Sequence, residues 1–329
     1  MYRNAAVSYA RLLAMIMIIL CHYFQFYNME LAWWFNVGVQ VFLIISGFLY
    51  GQKEIDDPIE FLNSRCKRIL LPFYLYLIGV TLFLLLVERN SITVSNILGA
   101  FSGVRPYKGT EHLWFIPYIM FCYLLTPLLC ALKNKVEKKS SGKRLAILVL
   151  IILGAEFLYR SYGFYFRPSR IICYIVGYFY AIQVNTWATD KKGQAKTSVL
   201  IIGVALALNI IRIYTKYVCY ESLTGTLSTV FDLFEQYSHI ALGLAIFVIC
   251  LGIFKNAKYN ILLNVSDKYA YYIYIVHHII INSTYSILVW INSKIVGIPL
   301  SVLIILFSGI ILCAITTRMG KINIRNYLK

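Results

Sequence analysis

The chain has 329 residues, 60% of them hydrophobic and only 14% charged, with a mean hydropathy of +0.71 and a formal net charge of +17. Soluble domains carry about 25% charged residues, so the composition excludes one and marks an integral membrane protein. The basic excess does not imply a nucleic-acid partner, because lysine and arginine gather in the cytoplasmic loops of polytopic proteins as a matter of topology.

Apolar stretches close to the roughly 20 residues needed to cross a bilayer recur at 7–27, 33–51, 69–88, 113–132, 145–160, 170–186, 198–214, 238–254, 270–290 and 298–317. They predict an all-α polytopic bundle of about ten transmembrane helices, in a single integral-membrane domain over residues 1–329. Basic residues concentrate in alternate connections: Arg3, then Lys53, Arg65, Lys67 and Arg68, then the run from Lys133 to Arg144, then Lys191, Lys192 and Lys196, then Lys255, Lys258 and Lys268, then Arg318, Lys321, Arg325 and Lys329. Putting those inside gives an N-in, C-in orientation. The first stretch embeds its polar members instead of flanking them and lacks a small-residue cleavage site, so it is expected to stay in the mature protein. The eight cysteines are scattered, mostly inside spans, with no paired metal-ligand spacing; they read as buried apolar thiols, and no metal is expected.

Taken in chain order, the polar residues inside spans stand out first. Arg11 and His22 lie in the first span, where an ionisable group costs roughly 2.5–3.5 kcal/mol at the helix centre and usually faces protein. Eleven helical residues advance about 16 Å and close to a whole number of turns, so the two share a face. Alone, each has a plain alternative, Arg11 snorkelling to the interface and His22 bonding a neighbouring helix. The second span ends Gly38-Val-Gln-Val-Phe-Leu-Ile-Ile-Ser46-Gly47-Phe48, with small residues that admit close helix contact. Arg65 and Arg68, three apart, make a fork suited to phosphate oxygens or else a positive-inside anchor. His112 and Trp114 open the fourth span and read first as interfacial anchors. Glu156 in the fifth can orient an imidazole or pair with Arg160. His277 and His278 lie inside the ninth. The connections 89–112 and 215–237 carry Glu111, Glu221, Asp232 and Glu235, and read as solvated connectors or as cover for an external substrate.

In order and spacing these segments resemble the membrane-bound acyltransferase 3 family. The resemblance rests on Arg11-x10-His22, the Gly38–Phe48 run ending Ser-Gly-Phe, Arg65-x-x-Arg68-Ile-x-x-Pro72, His112-Leu-Trp-Phe-Ile, Tyr174-Ile-Val-Gly-Tyr178 and Tyr272–His277. Two departures accompany it: a less aromatic Val41–Ile44 run before Ser-Gly-Phe, and no fused extracytoplasmic esterase-like domain, so the membrane part completes transfer itself or hands its acyl group to another protein. The resemblance implies a multi-pass membrane enzyme moving an acyl group, commonly acetyl from cytoplasmic acetyl-CoA, onto hydroxyls of cell-surface glycans such as capsule or exopolysaccharide. Such O-acetylation of the envelope fits a bacterial cell membrane, as does the richness in Ile, Lys, Tyr and Asn.

A neutral imidazole suits removal of a hydroxyl proton at neutral pH, which makes His22 the candidate base, with Arg11 at the cytoplasmic mouth of the same path. Coenzyme A carries several phosphates, so Arg65 and Arg68 are the candidate donor-binding residues. Ser46 is a conceivable acyl-enzyme position but more readily a packing serine. His112, Trp114, Glu156 and His277 are substrate or structural candidates. The expected partners are acyl-CoA, a glycan acceptor and the lipid bilayer. The competing reading is a transporter or flippase of a lipid-linked glycan or acyl carrier, although matched halves with broken helices, its usual sign, are not apparent.

Overall fold

In lipid every backbone polar group must be satisfied within the segment, and a long apolar run does this as a helix. The computed structural model describes residues 4–88, 92–163, 165–186, 191–219, 224–291 and 293–326, and among them it is all α, with no strand. Glu221 lies outside the described residues. The helices are α1 (Ala5–Phe26), α2 (Leu31–Phe35), α3 (Val37–Gly51), α4 (Pro58–Val87), α5 (Val94–Phe101), α6 (Phe115–Glu137), α7 (Ser141–Tyr162), α8 (Pro168–Thr186), α9 (Lys191–Tyr214), α10 (Thr226–Ile253), α11 (Ile261–Ile281), α12 (Ile287–Trp290) and α13 (Lys294–Asn326). A 3₁₀ turn, Glu111–Trp114, leads into α6, and a π turn, Thr215–Cys219, follows α9.

Local chemistry sets several ends. Asp57 accepts hydrogen bonds from the Ile59 and Glu60 amides while Pro58 opens α4. Thr93 and Asn96 cap each other at the start of α5, and Gly163, with φ +65°, ends α7. Among the described residues eight helices are long and apolar enough to cross a membrane. The helices α8 and α11 occupy the sixth and ninth expected spans but carry more polar residues, Ser169, Arg170 and Gln183 in one and Asn264, Asp267, Lys268, His277 and His278 in the other. Many large apolar side chains point outward, Leu150, Phe157, Ile210 and Phe307 among them; a soluble protein would bury these, whereas lipid solvates them.

Several expected boundaries move. The eighth span, expected from 238, begins at Thr226, so Asp232 and Glu235 lie in α10 and not in a connector. The third span is the later part of α4, so Arg65 and Arg68 belong to the same helix as the apolar run. The ninth, expected over 270–290, stops at Ile281. There Asn282-Ser-Thr-Tyr-Ser286 breaks it: the Ser283 hydroxyl bonds the Ile279 carbonyl, and Ser286 bonds the Ile280 carbonyl while capping α12 through the Leu288 amide.

Contacts divide the chain into two compact units. The first comprises Met1–Ile18, Phe35–Asp56 and Leu125–Leu263. Its centre is the contact of α3 with α8. A Cβ added at Gly47 would lie 1.9 Å from the Tyr174 carbonyl oxygen, and one at Gly177 would lie 2.1 Å from that of Ile44, so the two backbones touch where no methyl fits. Arg212, buried in α9, bonds Glu235 of α10 through two guanidinium nitrogens, and Phe48 stacks edge-on against Phe247.

The second unit comprises Ile19–Trp34, Asp57–Leu124 and Asn264–Lys329. The Tyr271 hydroxyl on α11 donates to the Ile69 carbonyl of α4, Tyr107 bonds Thr81, Tyr23 bonds Ser301, and the Gly309 face of α13 lies against Ile273.

Candidate functional site

Four of the five histidines meet in the second unit. From the His22 ring, centroids lie 4.4 Å away at His278, 5.0 Å at His277 and 6.4 Å at His112; His112 stacks on His278 at 4.8 Å and meets His277 at 4.9 Å. They come from α1, the 3₁₀ turn before α6, and α11. His22, His112 and His278 line a cavity of about 770 Å³, together with Gln25, Lys108, Glu111, Trp114 and Asn282 among others.

Each imidazole is oriented by one nitrogen. A carbonyl oxygen can only accept, so the nitrogen facing it must carry the hydrogen, and the other nitrogen of a neutral ring is left with a lone pair. In this way His112 donates through Nε2 to the Ile275 carbonyl (3.0 Å), His277 through Nδ1 to Tyr274 (2.6 Å), and His278 through Nδ1 to Gly109 (2.9 Å). His22 donates through Nδ1 to Oε1 of Gln25, one turn on, at 2.6 Å. Among the described residues, the remaining nitrogens of His112 (Nδ1) and His277 (Nε2) are buried without a hydrogen-bond partner. Such an atom typically costs about 1–3 kcal/mol, and its retention in a native fold calls for a reason. His22 is only half-buried, so its ring presents one face to the cavity.

The surroundings hold this arrangement. The Tyr274 hydroxyl donates to the His112 carbonyl, while the Tyr274 carbonyl accepts from His277, so one residue of α11 holds the His112 backbone and the His277 ring. Gly109 adopts φ +86°, a conformation that suits glycine. Its amide donates to Glu111 Oε2 at 2.9 Å, its carbonyl receives His278, and a Cβ there would sit 2.6 Å from that of Ser283. The same Glu111 oxygen is 3.7 Å from His278 Nδ1. Among the described residues no three of His, Cys, Asp and Glu are placed to hold a metal ion.

The other residues singled out in the sequence lie as follows. Trp114 lines the cavity, edge-on to Tyr118. Arg11 is half-buried in the first unit, on the same unbroken helix α1 as His22. Arg65, over the Phe61 ring at 5.7 Å, and the exposed Arg68 belong to the second unit but do not line the cavity. Their helix meets α11 at Ile69–Tyr271, and from Tyr271 to His278 that helix advances about 10 Å. In the first unit, the Ser46 hydroxyl donates to the Phe42 carbonyl one turn back, as a helix-packing serine does. Glu156, also there, accepts from the Tyr237 hydroxyl at 2.8 Å, with Arg160 at 4.0 Å. Gln25, Lys108 and Gly109 escaped the sequence reading. Only Gln25 leaves a trace there, as an amide one turn beyond an intramembrane histidine.

The arrangement supplies a bare imidazole nitrogen oriented by a neighbour, a cation in Lys108 and a cavity of ligand size. No curated protein and no solved structure matches the chain. A family model described as an acyltransferase domain matches residues 4–318, which takes in α1 with both Arg11 and His22, the turn carrying His112, and α11 with its histidine pair. A match over nearly the whole length, on a chain with this helical architecture, places it within the acyltransferase 3 family.

Proposed function

We propose that this membrane acyltransferase is an O-acyltransferase that moves an acyl group, acetyl from cytoplasmic acetyl-CoA, to a hydroxyl of an extracytoplasmic polysaccharide or its lipid-linked precursor, with the histidine cavity as the transfer centre. The observation carrying this reading is the His22–Gln25 hydrogen bond, which leaves His22 Nε2 as the lone pair on a ring that lines the cavity. In the reaction, Nε2 takes the proton of the acceptor hydroxyl, and the oxygen attacks the thioester carbonyl. The carbon–sulfur bond of the resulting tetrahedral intermediate then breaks. The imidazolium returns its proton to the departing thiolate, leaving an ester and free coenzyme A. The Lys108 ammonium lines the same cavity and can stabilise the oxyanion.

Arg65 and Arg68 suit the phosphates of the donor. An N-in, C-in orientation in a bacterial cell membrane puts that end at the cytoplasm, where acyl-CoA is made, and one catalytic domain over residues 1–329 then spans from donor to acceptor. The test is release of coenzyme A thiol by purified protein in lipid nanodiscs, supplied with acetyl-CoA and with de-esterified surface polysaccharide from the source cells. Wild type is expected to release thiol and ester the glycan, and His22→Ala, confirmed folded, to do neither; a His22→Ala rate near wild type removes His22 from the role.

A further inference from the structure

Beside the histidine cavity lies a second one of about 270 Å³, and Lys108 and Thr284 stand in the walls of both. Its volume is just below the roughly 300–1,000 Å³ of drug-sized ligand sites, room for one ring and its substituents. It is formed by the end of α4, by α5, by the turn through Arg105 and Pro106, and by the break after α11. Its polar groups are of the kinds that pair with sugar hydroxyls: the Arg105 guanidinium, Ser95, Asn96, and the Glu88 carboxylate, which receives the Tyr285 hydroxyl. Leu84 and Pro106 supply apolar surface of the sort that covers the C–H face of a pyranose. Among the described residues neither Arg105 nor Lys108 is joined to a carboxylate, so both have donors to offer. The two cavities together carry two cations, Arg105 and Lys108, and two carboxylates, Glu88 and Glu111. That balance suits a neutral polyhydroxylated ligand and disfavours a polyphosphate such as the nucleotide of coenzyme A, which would face the carboxylates as well.

The geometry points to a second glycosyl subsite: the acceptor engages through two consecutive sugar units, one offering its hydroxyl at His22 and its neighbour seated between Ser95 and Arg105, with Lys108 and Thr284 at the junction. This assignment rests on the acyl-transfer reading above and deepens it, because the enzyme then selects an oligosaccharide over a free monosaccharide. Binding energy gathered at a remote unit of the substrate is available to position the reacting one.

The experiment uses the full chain in nanodiscs, acetyl-CoA, and two acceptor preparations from de-esterified surface polysaccharide cut by acid and sized, one of monosaccharides and one of oligosaccharides. Wild type is expected to favour the oligosaccharides by about tenfold or more in kcat/KM. Ser95→Trp, which fills the second cavity from an exposed position, and Arg105→Ala, which removes one of its two cations, are each expected to erase most of that preference by raising the oligosaccharide KM about tenfold, the worth of one charge-assisted hydrogen bond, while monosaccharide transfer stays within twofold of wild type. Equal use of both preparations by wild type, or a proportional loss on both in the variants, overturns the subsite and leaves acyl transfer standing. Thiol release by wild type with neither preparation counts against the acyl-transfer reading, and the subsite falls with it.

Discussion

Replacing Gln25 by leucine removes the hydrogen bond that orients the His22 ring while keeping a side chain of similar length on the same turn of α1. Between neutral groups such a bond contributes roughly 0.5–1.5 kcal/mol net, and between a charged donor and its acceptor roughly 1.5–3 kcal/mol. His22 is neutral before the hydroxyl proton is taken and carries charge as it is taken, so the bond strengthens by about 1.4 kcal/mol on the way to the transition state. That difference is about tenfold in kcat with little change in the KM of either substrate, and losing the preferred tautomer deepens the loss. Gln25→Glu places an acceptor oxygen at the same reach and is expected to recover most of the rate that leucine forfeits. The assay is thiol release at saturating acetyl-CoA and oligosaccharide, with folding checked by thermal unfolding. Gln25→Leu within twofold of wild type, or Gln25→Glu no faster than Gln25→Leu, refutes the role of the hydrogen bond.

Gly109→Ala meets both a left-handed backbone and the Ser283 Cβ at 2.6 Å; strain of about 1–3 kcal/mol is expected to displace the His278 anchor and lower transfer at least tenfold, measured beside the unfolding temperature. Gly47→Ala drives a methyl into the Tyr174 carbonyl, and the α3–α8 contact is expected to lose about 1–3 kcal/mol, read as an unfolding temperature lower by several degrees. Arg65→Ala combined with Arg68→Ala is expected to raise the acyl-CoA KM tenfold or more and leave kcat nearly intact, with a smaller penalty when the donor is dephospho-coenzyme A. An unchanged KM for that double variant places the donor phosphates elsewhere.

The helices were legible in the sequence because a bilayer leaves the chain few alternatives. Their ends were less so. The ninth span ran too far in the hydropathy reading because isoleucine and valine resume after Asn282, whereas the serine hydroxyls at 283 and 286 already serve the carbonyls of a finished helix. His22 and His277 stood out as polar groups inside spans and His112 as an interfacial anchor, but their meeting did not stand out, since the bond from His112 to Ile275 joins residues 163 positions apart. Tyr274 is invisible as an orienting residue for the same reason: its hydroxyl reaches the His112 carbonyl from a distant segment. Glu156 read as a partner for an imidazole or for Arg160, and its phenolic partner Tyr237 lies 81 residues away, beyond any local pattern.

The segments that carry the family resemblance divide by the physical demand each meets. Ser46-Gly47-Phe48 and Tyr174-Ile-Val-Gly-Tyr178 are the two sides of one helix contact in the first unit, where glycine is required because a backbone oxygen occupies the space of a methyl. His112-Leu-Trp114 and Tyr272–His277 belong to the second unit and meet the opposite demand, that of keeping polar rings among apolar helices. Each ring there spends its N–H on an acceptor supplied by a turn or a neighbouring residue, Gly109, Tyr274, Ile275 or Gln25, which offsets part of the burial penalty. Among the described residues, the second nitrogens of His112 and His277 stay buried with no hydrogen-bond partner. Leucine at those positions would carry no such cost, so the unpartnered nitrogens mark this cluster as the place to test for chemistry.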